Sequence, residues 1–442
     1  VAFASLAAGL SWLDAHIDYE RVAPTRRALP SLDGMRQALA LLGDPQTAFS
    51  SLHITGTNGK GSTTAMATAL LVESGLSVGS YTSPNLHRVN ERIAWNAEPV
   101  DDATLLDLLE RLRMIEPLLA EPLTRFELLT VAAFLHFADV AVDVAVVEVG
   151  LGGTWDSTNV LDAPVAVLTS IGLDHTQVLG DTEEEIAADK AGIIAPGSTA
   201  ILGPTTDQVA EVVERRCDEV GAAGLWRYGI ELACTSDRLA VGGRLVDLTV
   251  PGAAYHDVLI PLHGRHQGQN AAVALAAVAA FLGRAPSPEV VEVALGSVVV
   301  PGRLEVLGSQ PLIVVDGAHN PAGAEALSSA LAEGFSVEGH KVAVLGMLEG
   351  RDPSGILRPL LDAGIDQVIC VAPETPRAMD AAKVAAAAEG LGLDAIVASS
   401  IVEGVHAGLS RVSEGGLLLV TGSLYVVGEA RAELLAHLGR AG

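Results

Sequence analysis

The stretch Leu52-His53-Ile54-Thr55-Gly56-Thr57-Asn58-Gly59-Lys60-Gly61-Ser62-Thr63-Thr64 decides the fold. It sets a β-type apolar run, a glycine-rich turn, a lysine and a cluster of hydroxyl residues directly ahead of a helical pattern. Backbone N–H groups at such a turn, together with the positive end of the following helix, make a cradle for phosphate. Lys60 supplies a point charge for β- and γ-phosphates, and Gly56, Gly59 and Gly61 permit an approach that a Cβ would block. Thr57, Asn58, Gly59, Lys60, Gly61 and Ser62 are therefore the candidate ATP contacts. The spacing departs from the common G-x-x-x-x-G-K-[ST] pattern, because Gly56 stands three residues before Gly59 and Gly61 separates Lys60 from Ser62. A strand-to-helix turn without a ligand is the plain alternative. Against it, lysine is scarce: it occurs only at positions 60, 190, 341 and 383.

Outward from this loop, apolar β-rich runs alternate with helical patterns, the mark of parallel sheets with crossover helices. Strands are expected at Ser51 to Thr55, Val78 to Thr82, Val142 to Val149 and Val165 to Ile171, and helices at Gly61 to Ser74, Ala103 to Leu119, Arg125 to Ala138 and Glu183 to Ile193. Between Leu232 and Leu262 short alternating segments with glycine predict an antiparallel excursion, followed by helices at Gln269 to Leu282 and Glu289 to Val298. A second cycle then places strands at Leu312 to Val315, Val342 to Leu345, Gln367 to Val371, Ala395 to Ala398 and Leu417 to Val420. The fold class is α/β in two domains: residues 1–298 as a P-loop-type ATP-binding domain with a mostly parallel sheet, and 299–442 as a C-terminal Rossmann-like α/β domain.

At 442 residues two cores are the ordinary expectation. A formal charge of −27 argues against nucleic acid as a partner, and an anionic substrate must be held by local donors rather than by the protein's overall field. No run of about twenty apolar residues is present, so no membrane span is expected. Cys217, Cys234 and Cys370 lie far apart, which fits a reducing cytoplasm better than a disulfide framework or a zinc site. Val1 to Leu10 is mildly apolar but lacks a preceding basic residue, so no signal peptide is read there, and the absence of an opening Met leaves room for residues ahead of Val1.

Thr55-Gly-Thr-Asn-Gly-Lys-Gly-Ser62 resembles the phosphate loop of the folylpolyglutamate synthase and dihydrofolate synthase family, relatives of the bacterial Mur ligases. The resemblance continues in order through Tyr81-Thr-Ser-Pro-Asn-Leu, Asn90-Glu-Arg-Ile, Glu148-Val-Gly-Leu-Gly-Gly, Asp156-Ser-Thr-Asn and Asp174-His175. It then takes in Lys190-Ala-Gly-Ile-Ile, His266-Gln, Asn270-Ala, Pro301-Gly-Arg-Leu-Glu, Asp316-Gly-Ala-His-Asn-Pro and Gly422-Ser-Leu-Tyr. What it implies is an ATP-dependent ligase that joins L-glutamate to dihydropteroate and to tetrahydrofolate through an acyl phosphate. Such an enzyme would use magnesium, with room for a monovalent cation, and would work on small molecules as a cytoplasmic monomer with its active site between the two domains.

The resemblance assigns Ser83, Glu148 and His175 to magnesium, each standing just after or at the end of an expected strand; a lone Glu or His there is more often a hydrogen-bonded loop residue. It makes Lys190 a carbamylated lysine that presents a carboxylate near the metal and, like Lys60, belongs to the catalytic set, where the residues alone suggest a snorkelling lysine or one paired with Asp189 or Glu185. Folate contacts carried over are Ala28, Leu29, Pro30, Arg88, Thr124, Arg125, Phe126, Glu127, Trp155, Asp156 and Ser157. Thr124 and Glu127 also have the spacing of a helix capping box. Asn270, Arg303 and Asp316 match nucleotide contacts, while His319, Ser423 and Tyr425 match the glutamate site, with His319 also in the catalytic set. Two departures stand out: Val300 replaces the usual tryptophan before Pro-Gly-Arg, and Gly350-Arg-Asp352 replaces the usual Asp-Lys-Asp. Asn85 stands where bifunctional members commonly carry histidine. The alternatives are a polyglutamate synthase alone, a Mur-type cell-wall ligase, and a non-catalytic nucleotide-binding module.

Overall fold

The computed structural model describes residues 3–20 and 31–439. Strand β1 (Ser50–Thr55) runs through the glycine turn into the Lys60–Glu73 helix, which leads to β2 (Val78–Tyr81). A hairpin follows, β3 (Ile93–Trp95) and β4 (Glu98–Pro99). Its turn residues Asn96 and Ala97 both have positive φ, 49° and 67°, the hand that matches the twist of the flanking strands. Strands β5 (Val144–Glu148), β6 (Val165–Leu168), β7 (Thr199–Leu202) and β8 (Gly224–Arg227) complete an eight-stranded sheet ordered β4-β3-β2-β5-β1-β6-β7-β8. From β2 to β8 all neighbours are parallel. Every residue of β1 after Ser50, and all of β5 and β6, is buried, which is why they read as unbroken apolar runs.

The strand order positions the site. From β1 the chain crosses to β2 on one side and only later fills the gap with β5, while β6 lies on the other side of β1. In register, Ile54 faces Glu148, Tyr81 faces Val147 and Thr55 faces Leu168. The carboxyl ends of β2, β5, β1 and β6 therefore stand side by side, about 4.8 Å between neighbours. Open α/β sheets bind ligands at such a reversal of strand order. One core packs the Leu6–Leu13, Asp33–Leu41, Asp102–Ile115 and Arg125–Asp139 helices against β2 and β5, through Leu39, Leu109, Phe134 and Phe137. Another packs the Glu183–Lys190 and Asp207–Val220 helices against β6 and β7, through Ile186 and Val213.

Strands β9 (Ala233–Ala240), β10 (Gly243–Val250) and β11 (Ala253–Ile260) form a separate three-stranded sheet. Two-residue connections, Val241-Gly242 and Pro251-Gly252, can join only antiparallel neighbours, so the change of texture in this part of the sequence has a structural counterpart. The last sheet holds β12 (Glu305–Ser309), β13 (Leu312–Val315), β14 (Lys341–Leu345), β15 (Gln367–Cys370), β16 (Asp394–Val397) and β17 (Leu417–Thr421). Its order is β12-β13-β17-β14-β15-β16, parallel apart from β12. Two compact units result: Val1–Arg238, Leu245–Pro261 and Gln267–Val298 in the first; Leu239–Arg244, Leu262–His266 and Val299–Gly442 in the second. Among the described residues no helix is long and apolar enough to cross a membrane.

Candidate active site

At the end of β1 the chain turns sharply at Gly56, where a Cβ would lie 1.9 Å from Thr169 Oγ1. Gly59 has φ +86° and would collide at 2.5 Å with the side-chain oxygen of Asn270, so neither glycine can carry a side chain. The loop is clamped from β6. Thr169 Oγ1 and Ser170 Oγ donate to the Asn58 carbonyl at 2.6 and 3.0 Å, and the Thr57 amide donates to Ser170 O at 2.6 Å. Because Thr169 and Ser170 turn their side chains to this task, β6 stops at Leu168 instead of running on to Ile171. The first turn of the Lys60–Glu73 helix thus sits at a preformed loop, with the N–H groups of that turn at its mouth.

Two lysines converge on one oxygen. Lys60 Nζ donates to the Gly56 carbonyl at 3.0 Å, and Lys190 Nζ donates to the same carbonyl at 2.9 Å. Lys190 is 4% exposed, at the end of its helix. Burial first, and then the charge of Lys60, push its ammonium down to about 7, against the pull of Asp189, Asp174 and Asp156. Gly153 lets this helix close in, since a Cβ there would meet the Lys190 carbonyl at 2.6 Å.

Glu148, 4% exposed, ends β5, and its Oε2 accepts from the Ser83 amide at 3.4 Å while lying 3.7 Å from where a Gly61 Cβ would stand. Ser83, Glu148 and the start of the phosphate-loop helix are thus brought together. His175 follows β6 in the left-handed conformation, φ 49°, its amide donating to Asp174 at 2.8 Å. Thr57 Oγ1, donating to the Gly172 carbonyl at 3.0 Å, ties that segment to the loop. Among the described residues no three His, Cys, Asp or Glu side chains form a metal-holding group. A hydroxyl, one carboxylate and one imidazole nevertheless suit magnesium, which keeps water and phosphate oxygens as its remaining ligands. A buried carboxylate aimed at the phosphate-binding turn would repel a nucleotide unless a cation bridged the two, so the residues fit the ion. Glu148→Gln and His175→Ala are each expected to raise the magnesium concentration for half-maximal activity about tenfold or more, the scale of one lost ligand interaction. Unchanged magnesium titrations for both would remove them from a metal site.

Around the Gly150–Asp156 turn, Phe126 lies over Gly150, where a Cβ would come within 2.5 Å of its ring, and 5.9 Å from the Tyr81 ring. Thr124 and Glu127 form the capping box reciprocally, at 3.2 and 2.7 Å. Asp156 is buried, which raises its carboxyl, and it accepts from the Leu151 and Thr158 amides at 3.0 Å each. Trp155 packs against the core beside Leu179, and Ser157 is buried. Arg125 Nε donates to Asp14 at 2.9 Å, and Arg88 pairs with Asp102. Ala28, Leu29 and Pro30 lie outside the described residues. A cavity of about 410 Å³, lined by Thr154, Asn159, Arg215 and Arg216 among others, lies behind the Lys190 helix rather than at the phosphate loop.

In the second unit, Asp316 follows β13 and is fixed by the Leu304 and Ala318 amides at 2.8 and 2.7 Å. Burial raises its carboxyl, offset by the nearby Arg303. The Arg303 guanidinium lies against Gly317, 2.2 Å from where a Cβ would be. His319 Nδ1 is 2.7 Å from the Gly317 carbonyl, which can only accept, so the ring carries its proton on Nδ1. Arg351 donates to the His319 carbonyl, placing the replacement for the family's lysine beside this histidine. Ser423 caps the Leu424–His437 helix through the Tyr425 amide at 3.2 Å. Asn270, in the first unit, is steadied by Gln267 at 3.1 Å. One buried side chain that the sequence reading passed over is His53, hydrogen-bonded to Thr158 at 2.7 Å; its place on the strand before the loop was the available signal.

A phosphate loop on a parallel sheet, with lysines and a carboxylate at the same strand ends, defines an ATP-dependent ligase of the Mur type. Family models agree: the Mur ligase middle domain matches residues 54–278, and the Mur ligase glutamate ligase domain matches 302–424. A Mycobacterium tuberculosis dihydrofolate synthase/folylpolyglutamate synthase is 38% identical, with 92% of this chain and 91% of that protein aligned. A Lacticaseibacillus casei folylpolyglutamate synthase is 35% identical over 90% of this chain and 92% of its own length. Among solved structures, M. tuberculosis folylpolyglutamate synthase complexed with ADP superposes with a TM-score of 0.91 at 36% identity, covering 98% of both chains. E. coli FolC in complex with DHPP and ADP gives 0.86 at 29% identity, covering 99% of this chain and 100% of that one. The chain belongs to the dihydrofolate synthase/folylpolyglutamate synthase family.

Proposed function

We propose that this enzyme ligates L-glutamate to dihydropteroate, forming dihydrofolate, and to tetrahydrofolate, extending a polyglutamate tail, with ATP as the driving substrate. The observation that carries the reading is the convergence of Lys60, Lys190 and Glu148 on the phosphate loop at adjacent strand ends. The substrate carboxylate is a poor electrophile. Its oxygen attacks the γ-phosphorus of ATP, releasing ADP and leaving an acyl phosphate; the glutamate nitrogen then attacks the acyl carbon, and inorganic phosphate departs. Lys60, parked on its own loop carbonyls, is placed to move onto the transferred phosphoryl group. A magnesium ion held by Ser83, Glu148 and His175 would supply further charge neutralisation when bound.

Arg303 and Asp316 would hold the nucleotide together with Asn270. His319, Ser423 and Tyr425 would bind glutamate. His319, its ring oriented by the bond from Nδ1 to the Gly317 carbonyl, would take part in handling the glutamate amine. Phe126 would stack on the pterin, with Thr124, Glu127, Trp155, Asp156 and Ser157 around it. All three cysteines are free, in keeping with a cytoplasmic enzyme, and we propose that it works there as a monomer.

Support for both substrates comes from the relatives whose names carry both activities, in M. tuberculosis, Bacillus subtilis and E. coli. The L. casei relative carries the polyglutamate name alone, so the two outcomes separate cleanly. The purified enzyme is expected to release phosphate, in a glutamate-dependent way, with dihydropteroate and separately with tetrahydrofolate. Release with tetrahydrofolate only would reduce the protein to a polyglutamate synthase.

A further inference from the structure

On β1, His53 and Thr55 are two residues apart and so project from the same face. Both reach the turn that follows β5: Thr55 Oγ1 donates to the Gly152 carbonyl at 2.7 Å, and His53 Nε2 lies 2.7 Å from Thr158 Oγ1. Thr158 in turn contacts Asp156 Oδ1 at 2.5 Å. His53 and Thr158 are 0% exposed and Asp156 is 3% exposed, so solvent does not share in these bonds. As a carboxylate Asp156 only accepts, hence Thr158 donates its single hydroxyl proton to it. The lone pair left on Thr158 must then accept from His53 Nε2–H, which fixes the tautomer. Burial holds the imidazole neutral, down to about 3, in agreement with that arrangement. His53 Nδ1 is left as a buried acceptor with no partner among the described residues. A buried imidazole with one nitrogen unsatisfied costs stability relative to an apolar side chain. The bond it makes through Nε2 therefore has a use other than filling the core.

We infer that His53 is a positioning residue, which through Thr158 and Asp156 holds the Gly150–Thr158 turn to the strand that carries the phosphate loop. The chain of bonds runs from β1 to the carboxylate that gathers the Leu151 and Thr158 amides, and so shapes the floor on which Phe126 lies. This rests on the reading of that turn as the folate-contacting one, and its consequence is that His53 sets folate affinity without touching the ligand.

Thr158→Val removes both the donor and the acceptor, whereas Thr158→Ser keeps them; His53→Leu removes the N–H, whereas His53→Gln keeps a donor. The Val and Leu variants are expected to raise KM for dihydropteroate about tenfold, with kcat and KM for ATP within about twofold of wild type. The Ser and Gln variants should recover most of that loss. Equal increases in both KM values, or no change in either, would overturn the inference. Hydrogen exchange on the substrate-free protein tests the same bonds without turnover. The Leu151 and Thr158 amides should lose protection in Thr158→Val and in His53→Leu but keep it in Thr158→Ser and His53→Gln, and unaltered protection in the His53→Leu variant would equally overturn it. Failure of the wild-type enzyme to use either folate would instead sink the functional reading, and the exchange experiment would still decide on His53.

Discussion

Lys60→Ala is expected to lower glutamate-dependent ADP formation by about 10³-fold or more, with the fold intact. The magnitude follows from removing a charge that acts on the phosphoryl group as its negative charge redistributes, where a single preorganised donor is worth about 10²- to 10³-fold and a full charge more. The fold should survive because the loop's shape is set by other groups: Gly56 and Gly59, and the Thr169 and Ser170 hydroxyls that grip the Asn58 carbonyl. Lys60 Nζ bonds two nearby loop carbonyls, at 3.0 and 3.4 Å, and neither sets the backbone conformation of the turn. Its loss should move the melting temperature by no more than a few degrees. Steady-state kinetics alongside a thermal melt makes the test. A variant that folds and ligates at near wild-type rates would show that the glycine turn is not the phosphate site. The same experiment addresses a module that merely senses ATP: such a protein would lose nucleotide binding on mutation but would show no glutamate-dependent turnover before it.

The phosphate loop was legible because its chemistry is local: glycine, lysine and hydroxyl residues act within one strand-turn-helix unit, so spacing along the chain is also spacing in space. The buried strands were legible for a similar reason, since β5 and β6 have no solvent-facing side to interrupt their apolar runs. Two outer strands of the first sheet were not, although β16, at the edge of the last sheet, was. β8 is only partly buried along its length, and β4 is exposed at both of its residues, so neither shows a strong pattern. The Leu6–Leu13 and Asp33–Leu41 helices were also passed over, being short and lying before the first strong strand signal. Boundaries moved where a side chain found other work, as at Thr169 and Ser170.

The site divides along the same line. That Lys60 and Lys190 share the Gly56 carbonyl could not be read from residues 130 positions apart in the chain; resemblance put Lys190 near the metal, and only the packing of Gly153 on its helix shows how close it comes to the loop. Arg125 and Arg88 illustrate the converse. Both are cations with the right neighbours in sequence, yet each is engaged with an aspartate, Asp14 and Asp102, that sequence alone would not have chosen for it. Asp156 is intermediate: its acidity is visible in the sequence, but its duty toward the Leu151 and Thr158 amides depends on the turn it closes.

Lys190→Ala is expected to lose about 10³-fold in activity, with partial recovery on adding formate or acetate. The reason lies in the shared carbonyl. Two ammonium groups bonded to one oxygen stand no more than about 6 Å apart, and like charges at that distance, with Lys190 buried and Lys60 half-buried, oppose each other. With its ammonium brought down to about 7, Lys190 is substantially neutral at neutral pH. A neutral amine can attack carbon dioxide, forming an N–C bond and releasing a proton, so the side chain becomes a carbamate of charge −1. Repulsion from Lys60 then turns into attraction, and a carboxylate-like group appears beside the strand ends that carry Glu148 and Ser83. The sign of the pH dependence follows. Below about pH 7 the ammonium form prevails and cannot add carbon dioxide, so the carbamylated fraction should fall as pH drops through that value and rise above it. Enzyme stripped of carbon dioxide at pH 6 should be nearly inactive and should regain activity with bicarbonate at pH 8. ¹³C-bicarbonate should give a carbamate carbon resonance in the wild type that is missing in Lys190→Ala. Full activity in rigorously stripped enzyme at pH 8, without that resonance, would assign Lys190 to holding the Gly56 carbonyl and nothing more.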